Sequence, residues 1–440
     1  MPALHVIIMG AGPAGLAAAL ALHQQSTPAS PIRVTVLELR PAVQTLGGAV
    51  NLTPLALRYL DALGAGPRLR PRAARVPHID MLSHRTGASL GRLWPDVDAV
   101  RVLRQDLVEA LVQTARAVAD DDDDAGGGGI ELRFGVKVSR IEEQGDAASA
   151  DGSITVHFTD TTTTTGTEES LQGDLLLGCD GIHSFVRSTL VDPGRTKTYS
   201  GRATAYGFIP VATPGDAGIA AADGSPAVDV SSLVTAQLGS LLVTFFEPAR
   251  ERLYLATVVA QPERGAALEG GGRDGRRETG QDKEALKADF LRRFHGGGLA
   301  GLEEVVERCD EWVSFPVYML PPGGVWSRGR ALLLGDAAHA MPPQGESTGV
   351  AIEDAMLLAR VVSRRDERSV GQILGDYEAL RRPVIKKTYD EAVFRWGQVG
   401  DKSWLGTVAM EWFSALYIWA MNRWSRDSFG RDVRTLELPA

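Results

Sequence analysis

Cysteine is nearly absent from these 440 residues: Cys179 and Cys309 are the only two. Two thiols cannot build a disulfide framework, and neither stands in a zinc-ligand spacing. The expectation is a chain with no metal site, suited to a reducing compartment. Positive charge is also short, with 46 Lys and Arg against 55 Asp and Glu for a net of −9. That leaves no cationic footprint for a phosphate backbone, so nucleic acid is not an expected partner. The apolar start MPALHVIIMGAGPAGLAAALAL imitates a signal peptide but carries no basic n-region, and a cytoplasmic protein is expected. No Ser/His/Asp or Cys/His constellation stands out, so no side-chain nucleophile is expected. What remains is ordinary globular material, 44% hydrophobic and 23% charged, long enough for two or three domains.

The run LHVIIM over 4–9 is too short for a helix and reads as a buried parallel strand. Gly10-Ala11-Gly12-Pro13-Ala14-Gly15 follows at once, then the helix former LAAALALHQQ, then a second β-type run from Ile32 to Leu39. This is a strand–turn–helix–strand unit of the length a dinucleotide fingerprint requires. Gly10 permits the tight turn, Gly12 lets backbone approach a pyrophosphate, and Gly15 lets helix and strand pack closely. The helix N-terminus offers unpaired N–H groups to phosphates. Glu38 lies 23 residues beyond Gly15, where a carboxylate accepts hydrogen bonds from ribose hydroxyls. The unit implies an adenine dinucleotide and leaves NAD and FAD both open.

Further along, IELRFGVKVSRIEE and SITVHFTD alternate like strands, between an Asp/Gly tract at 120–129 and a Thr run at 161–165 that both read as surface loops, as does 265–280. From about Ser200 to Tyr318 the β-patterned pieces dominate, with one helix over Lys283–Phe294, which suggests a second domain on an antiparallel sheet. The run Arg330–Leu334 reads as another buried strand, a long helix begins near Ser347, and the remainder to Ala440 reads as helical. Trp404–Trp424 is apolar on all sides around Glu411. Its first expected place is burial against the rest of the chain or in a homodimer contact, with a wall of the substrate pocket as an added role; an interfacial membrane helix comes second.

Two more clusters carry chemistry. One is Cys179-Asp180-Gly181-Ile182-His183-Ser184-Phe185-Val186-Arg187 after the strand-like LLLG; the other is Gly335-Asp336-Ala337-Ala338-His339-Ala340-Met341-Pro342-Pro343. With GAGPAG they make three motifs in one order, and the chain resembles the para-hydroxybenzoate hydroxylase-like, class A flavin-dependent aromatic monooxygenases. The resemblance implies an α/β chain. It has a Rossmann-like FAD-binding domain (1–75, 101–190, 323–375), a discontinuous antiparallel-sheet substrate domain (76–100, 191–322) and a C-terminal helical region (376–440).

It also implies non-covalent FAD, NADPH or NADH as co-substrate, and O2, one atom of which a flavin C4a-hydroperoxide delivers to an aromatic or polyketide-like small molecule. Glu38 would hold the adenosine ribose and Asp336 the ribityl chain. Asp180, Gly181 and Arg187 would lie where one motif serves both FAD and NADPH. Arg104, in the Arg-x-x-Leu helix start, would reach the phosphate and ribityl side. Pro342, Pro343 and Gly345 would line the flavin ring. Ala14, Arg40, Gly48, Gly335, Ser347, Thr348, Gly349 and Val350 complete the expected flavin contacts. His339 is expected to orient backbone.

Two departures from the family's pattern stand out. Glu346 puts a carboxylate beside the expected flavin edge, where Ser347 or Thr348 is expected to cap the helix. Relatives place arginine before the glycine of a short strand, where this chain has Tyr206, either a proton partner for a phenolic substrate or a sheet aromatic. Other readings are an epoxidase or oxidase of a secondary metabolite, or a flavin-binding protein without turnover. A monomer and a homodimer both fit.

Overall fold

The computed structural model describes residues 3–439 except 46–47, 123–128, 146–151, 164–165, 222, 262, 264–275, 278–279, 344 and 425–428. Residues 123–128 and 164–165 of the low-complexity tracts and most of 265–280 therefore lie outside the described residues. Against the loop expectation, Asp120–Asp122 close helix Arg104–Asp122 and Arg276–Arg277 form a short strand.

Leu4–Met9 is buried from its second residue on and runs parallel between Ile32–Glu38 and Leu175–Gly178. The sheet extends outward to Ile130–Phe134 on one side and Ala331–Leu333 on the other, with Ser327–Arg328 closing that edge in antiparallel pairing. Its central strands are mostly apolar because both faces are covered. Helices 13–23 and 104–122 cover one, and a three-stranded antiparallel sheet of residues 168–173, 153–160 and 136–144 covers the other, so that Ile8 faces Gly15 and Ile7 faces Gly173. Helix Pro13–His23 is apolar all round and buried, packed against helix Ser347–Val362. In a parallel sheet the carboxyl ends of the strands open to one edge, which is where ligands bind in such folds. Gly10, Cys179 and Leu334 each follow one of three adjacent strands, and all three motifs therefore meet at that edge. The chain is α/β, with a Rossmann-like layer as expected.

The second sheet has eight strands, in the order 276–277, 313–319, 198–210, 252–260, 239–245, 231–236, 79–83, 89–93. It is antiparallel except where Ser231–Ala236 pairs parallel with Ile79–Ser83, a strand from far earlier in the chain. Alternation along Thr198–Pro210 sends Ala203, Ala205 and Ile209 into a core shared with helices Gly280–Phe294 and Leu302–Glu307. The opposite face carries Tyr206 and Phe208. A small sheet, Ala49–Leu52, Ala99–Leu103 and Ala74–Val76, lies between the two large ones.

Helix Val370–Gln398 starts at a capping box formed by Ser369 and Gln372. The expectation of helix to the end fails after Trp424: residues 429–439 are irregular, because Arg58 and Arg360 take the carbonyls of Phe429, Arg431 and Val433 as acceptors in place of helical N–H groups. Helix Trp404–Trp424 packs one side on Ser89–Leu93 and buries Glu411, which accepts from Ser83 Oγ at 2.5 Å and Arg85 Nη2 at 2.6 Å. Its other side leaves Trp412 76% and Leu405 72% exposed. No described helix is long and apolar enough to cross a membrane.

Candidate active site

The glycine turn is built by space as much as by flexibility. Gly10 has φ +104°, and a Cβ there would stand 2.6 Å from the Cys179 carbonyl oxygen. A Cβ on Gly15 would lie 2.0 Å from the Gly10 carbonyl oxygen, so helix and strand close only on glycine. Gly12 differs: a Cβ there meets no protein atom within 4 Å, and as N-cap of helix 13–23 it supplies no side-chain cap. Ala14 packs near Gly335, joining first and third motifs. Glu38 ends its strand by accepting from the Ala11 N–H at 2.8 Å and the Arg40 N–H at 3.0 Å.

In the second motif, Asp180 Oδ2 accepts from the Phe185 N–H at 2.5 Å and the Val186 N–H at 3.3 Å, while Oδ1 is buried without a partner. Burial pushes this carboxyl above the ordinary range, against the pull of those hydrogen bonds. Gly181 has φ +77° with open space beyond it. Arg187 is buried and donates to the carbonyls of Ile182 (2.6 Å) and Ala337 (2.9 Å), tying the second motif to the third.

The third motif turns at Gly335, φ +59°, whose N–H donates to Asp354 Oδ2 at 3.0 Å. His339 Nε2 meets the same oxygen at 2.9 Å, so His339 braces the turn. Asp354 and Glu353 are fully buried and share Arg381, which reaches Asp354 Oδ1 and Glu353 Oε2, each at 2.5 Å, and the Val350 carbonyl at 2.9 Å. Arg431 adds two hydrogen bonds to Glu353, at 2.8 and 2.6 Å. Burial alone would raise the Asp354 carboxyl, but Arg381 and His339 hold it below the usual range.

Asp336 itself opens to solvent from between these walls and accepts no hydrogen bond from a described residue. Burial among protein atoms raises its carboxyl, while Arg104 and His339 pull it back. The helix cap differs from expectation. Helix 347–362 starts with Ser347 already inside it and Glu346 at the cap position, with no side-chain cap bond. The Glu346 carboxylate pairs with Arg395 Nη2 at 3.3 Å.

These elements enclose a cleft of about 410 Å³. Gly12, Glu38, Arg40 and Gly48 line one stretch, Arg104, Asp336, Pro343 and Ser347 another, and Tyr206 the aromatic end. Gly10, Ala14, Gly15, Asp180, Gly181, Arg187, Gly335, Gly345, Thr348, Gly349 and Val350 do not border it. Several of them pack the walls: Gly349 against Ala56, Gly345 beside Asn51, and Val350 under Arg381. Helix 404–424 contributes nothing to the cleft lining, so its expected role as a pocket wall is not observed; Glu411 ties it to the far edge of the eight-stranded sheet instead.

At the aromatic end Tyr206 stacks on Phe315 (5.7 Å, 12° between planes) and lies 5.6 Å from Tyr254. Sequence reading missed Tyr254, Phe315, Thr204 and His183 in the lining, and the Glu353–Asp354–Arg381–Arg431 brace behind it. Only the Glu-Asp-Ala at 353–355 signalled that brace, because its partners come from distant helices.

A family model described as "FAD binding domain" matches residues 3–216 and 324–392. The salicylate hydroxylase of Pseudomonas putida is 30% identical over 396 residues, covering 87% of this chain and 82% of that one. The 3-amino-4-hydroxybenzoate 2-monooxygenase of Streptomyces platensis is 29% identical over 392 residues, covering 87% and 85%. Among solved structures, Klebsiella pneumoniae HpxO complexed with FAD and uric acid superposes with a TM-score of 0.71 at 23% identity, over 95% of each chain, a likeness of fold. By the residues that the family model matches and the length its relatives share, the chain belongs to the FAD-binding-domain family and, within it, to the class A flavin-dependent monooxygenases.

Proposed function

We propose that this chain uses FAD, NAD(P)H and O2 to hydroxylate an aromatic small molecule in the cleft described above. The observation that carries the reading is one continuous cleft with a dinucleotide end at Gly12 and Glu38 and an aromatic end at Tyr206 and Phe315. The residues present fit FAD. Helix 13–23 has an uncapped N-terminus facing open space at Gly12, the right partner for a pyrophosphate. Asp336 is an unpartnered carboxylate that suits ribityl hydroxyls, and Glu38 lies where ribose hydroxyls would replace its present N–H donors.

When bound, FAD supplies the redox and oxygen-activating chemistry. The chain's part is to bind, orient and exclude water. Arg104 would set a cation toward the phosphate and ribityl side; Gly48 and Pro343 line the cleft where the ring would lie, and Gly345 supports that wall beside Asn51. The amino end of helix 347–362 meets the cleft at Ser347 and would stabilise negative charge on a flavin held there, and Arg395 offsets the Glu346 carboxylate beside it. Asp180, Gly181 and Arg187 serve through the turn they build. Tyr206 acts as a wall of the substrate pocket, its ring held by Phe315 and Tyr254.

The division into an FAD-binding domain (1–75, 101–190, 323–375), a substrate domain (76–100, 191–322) and a C-terminal helical region is part of this reading. Two buried free thiols support action in a reducing, cytoplasmic setting. The test is isotopic: with ¹⁸O2, NAD(P)H and an accepted aromatic, the product gains one labelled oxygen. Label drawn from water, or NAD(P)H consumed with no oxygenated product from any aromatic offered, contradicts the proposal.

A further inference from the structure

Helix Trp404–Trp424 is amphipathic with its faces reversed. Thr407, Glu411 and Ile418 are buried, and their spacing of four and seven residues keeps them on one side of the helix. Polar contacts hold that side to the edge of the eight-stranded sheet. Glu411 accepts from Ser83 and Arg85, and Asn422 Nδ2 donates to the Arg92 carbonyl at 2.7 Å. Ile418 sits over Gly91, where a Cβ would come within 3.0 Å of it.

The apolar residues point the other way. Leu405, Ala409, Trp412, Leu416 and Trp419 are all exposed and follow one another at intervals of four, three, four and three residues. That is the heptad spacing by which one helix pairs with another. Trp404, Phe413 and Tyr417 flank the stripe, and Phe394 of helix 370–398 continues the surface. Between the two helices lies a groove of about 370 Å³ with Gly406 and Ala409 in its wall. The six aromatic rings of this surface are 38–76% exposed, roughly 500–800 Å² of apolar area at about 150–250 Å² for each ring, and Leu405 and Leu416 add to it. The largest apolar patch on a typical monomer is about 300–600 Å². A stable interface takes about 800 Å² from each partner.

The occupant this surface fits is its own copy. The stripe reads nearly the same in both directions from Trp412: Leu405 and Trp419 lie seven residues to either side, Ala409 three before and Leu416 four after. With antiparallel helices and a two-fold axis at Trp412, Leu405 meets the partner's Trp419. Leu416 meets the partner's Ala409, a small residue in the wall of the groove. One surface then offers both ridge and groove, as an isologous contact requires. A lipid surface fits less well. Interfacial helices carry Lys and Arg on their polar face, whereas residues 404–424 hold one cation, Arg423, and their polar face is turned into the protein.

We propose that the chain forms an isologous homodimer in which helix 404–424 pairs antiparallel with the same helix of a second copy around Trp412. The inference stands on this surface alone and is independent of the chemistry of the cleft.

The test is sedimentation of the full-length, FAD-loaded protein over a concentration series. The expected species has twice the chain mass of 47.0 kDa. Trp412→Glu sets two carboxylates against each other at the axis and should weaken the dimer at least about thirtyfold, as loss of a central aromatic anchor does, with flavin content and circular dichroism retained. Leu416→Glu should act likewise, while Val325→Glu, at an exposed apolar position elsewhere, should leave the dimer intact. Register is read from single cysteines, since both native thiols are buried. With diamide as oxidant, Trp412→Cys should couple to itself, and Leu405→Cys mixed with Trp419→Cys should give the mixed disulfide in excess over either homodimer.

A monomer at about 50 μM overturns the proposal, because interfaces of this area reach dissociation constants of about 1 μM even at their weakest. If that monomer floats with phosphatidylcholine–phosphatidylserine vesicles, the face belongs to a membrane instead. A dimer undiminished in both Trp412→Glu and Leu416→Glu puts the interface elsewhere and also overturns it. Leu405→Cys coupling to itself in preference to Trp419→Cys means parallel helices and overturns the antiparallel pairing. If Trp412→Glu does not fold, Leu416→Glu and the cysteine pair decide.

Discussion

Removing Arg381 tests whether the cofactor cleft is held open from behind. Arg381 is 1% exposed and joins helix 370–398 to Asp354, Glu353 and the Val350 carbonyl. Arg381→Met keeps length and helix propensity and deletes three hydrogen bonds, two of them to carboxylates. Breaking a buried pair from one side costs about 3–5 kcal/mol. Here Glu353 keeps Arg431, and Asp354 keeps His339 and the Gly335 N–H. The cost should therefore sit near the lower end, about 3 kcal/mol.

The pH dependence has a definite sign. In the parent, Asp354 is held below its ordinary value near 3.9. It adds stability that is present above that value and lost as pH falls through the depressed one. In the variant, burial dominates and the carboxyl rises, so parent and variant should differ most at neutral pH and converge below about pH 4. Urea unfolding of the FAD-loaded proteins at pH 7 and in acid reads both effects. A variant within about 1 kcal/mol of the parent at pH 7, or a deficit as large in acid as at neutrality, refutes the reasoning. Because Asp354 also fixes Gly335 and His339, the variant should release FAD more readily while touching none of it.

Other substitutions separate space from contact. Gly12→Ala places a methyl in open cleft, so the FAD-free protein should melt unchanged while flavin retention falls; Gly15→Ala puts its Cβ 2.0 Å from a backbone oxygen and should lower the melting point itself. Identical behaviour of the two variants would contradict this division. Asp336→Ala should purify depleted of flavin, since the carboxylate facing the cleft has no other partner; a fully yellow variant with unchanged affinity removes it from the site. Glu346→Gln should alter the rate of flavin reduction by less than about threefold, since Arg395 already offsets the charge in a half-exposed pair worth under about 1 kcal/mol. A larger acceleration would mean that the carboxylate opposes reduction.

The parallel layer was legible because three of its strands are largely apolar runs that end in a glycine-bearing motif: LHVIIM before Gly10, LLLG before Asp180, and ALLL before Gly335. Glycine roles read from spacing match what a Cβ would meet at Gly10 and Gly15. Long-range pairings were not legible. Nothing local announces that Ile79–Ser83 adds in parallel to Ser231–Ala236, or that Arg381 and Arg431 converge on Glu353. The cap at Glu346 was misread because Ser347 and Thr348 are better cap formers, yet the pair with Arg395 fixes the carboxylate one residue earlier.

The central claim is that this cleft reduces FAD with NAD(P)H under the control of an aromatic ligand. Its most direct measurement is the anaerobic bleaching of bound flavin by NADPH and by NADH, with and without a panel of phenols, quinones, polyketide aromatics and aromatic acids. The account predicts bleaching that one class accelerates strongly. A yellow protein that neither nicotinamide bleaches, whatever compound is present, contradicts it.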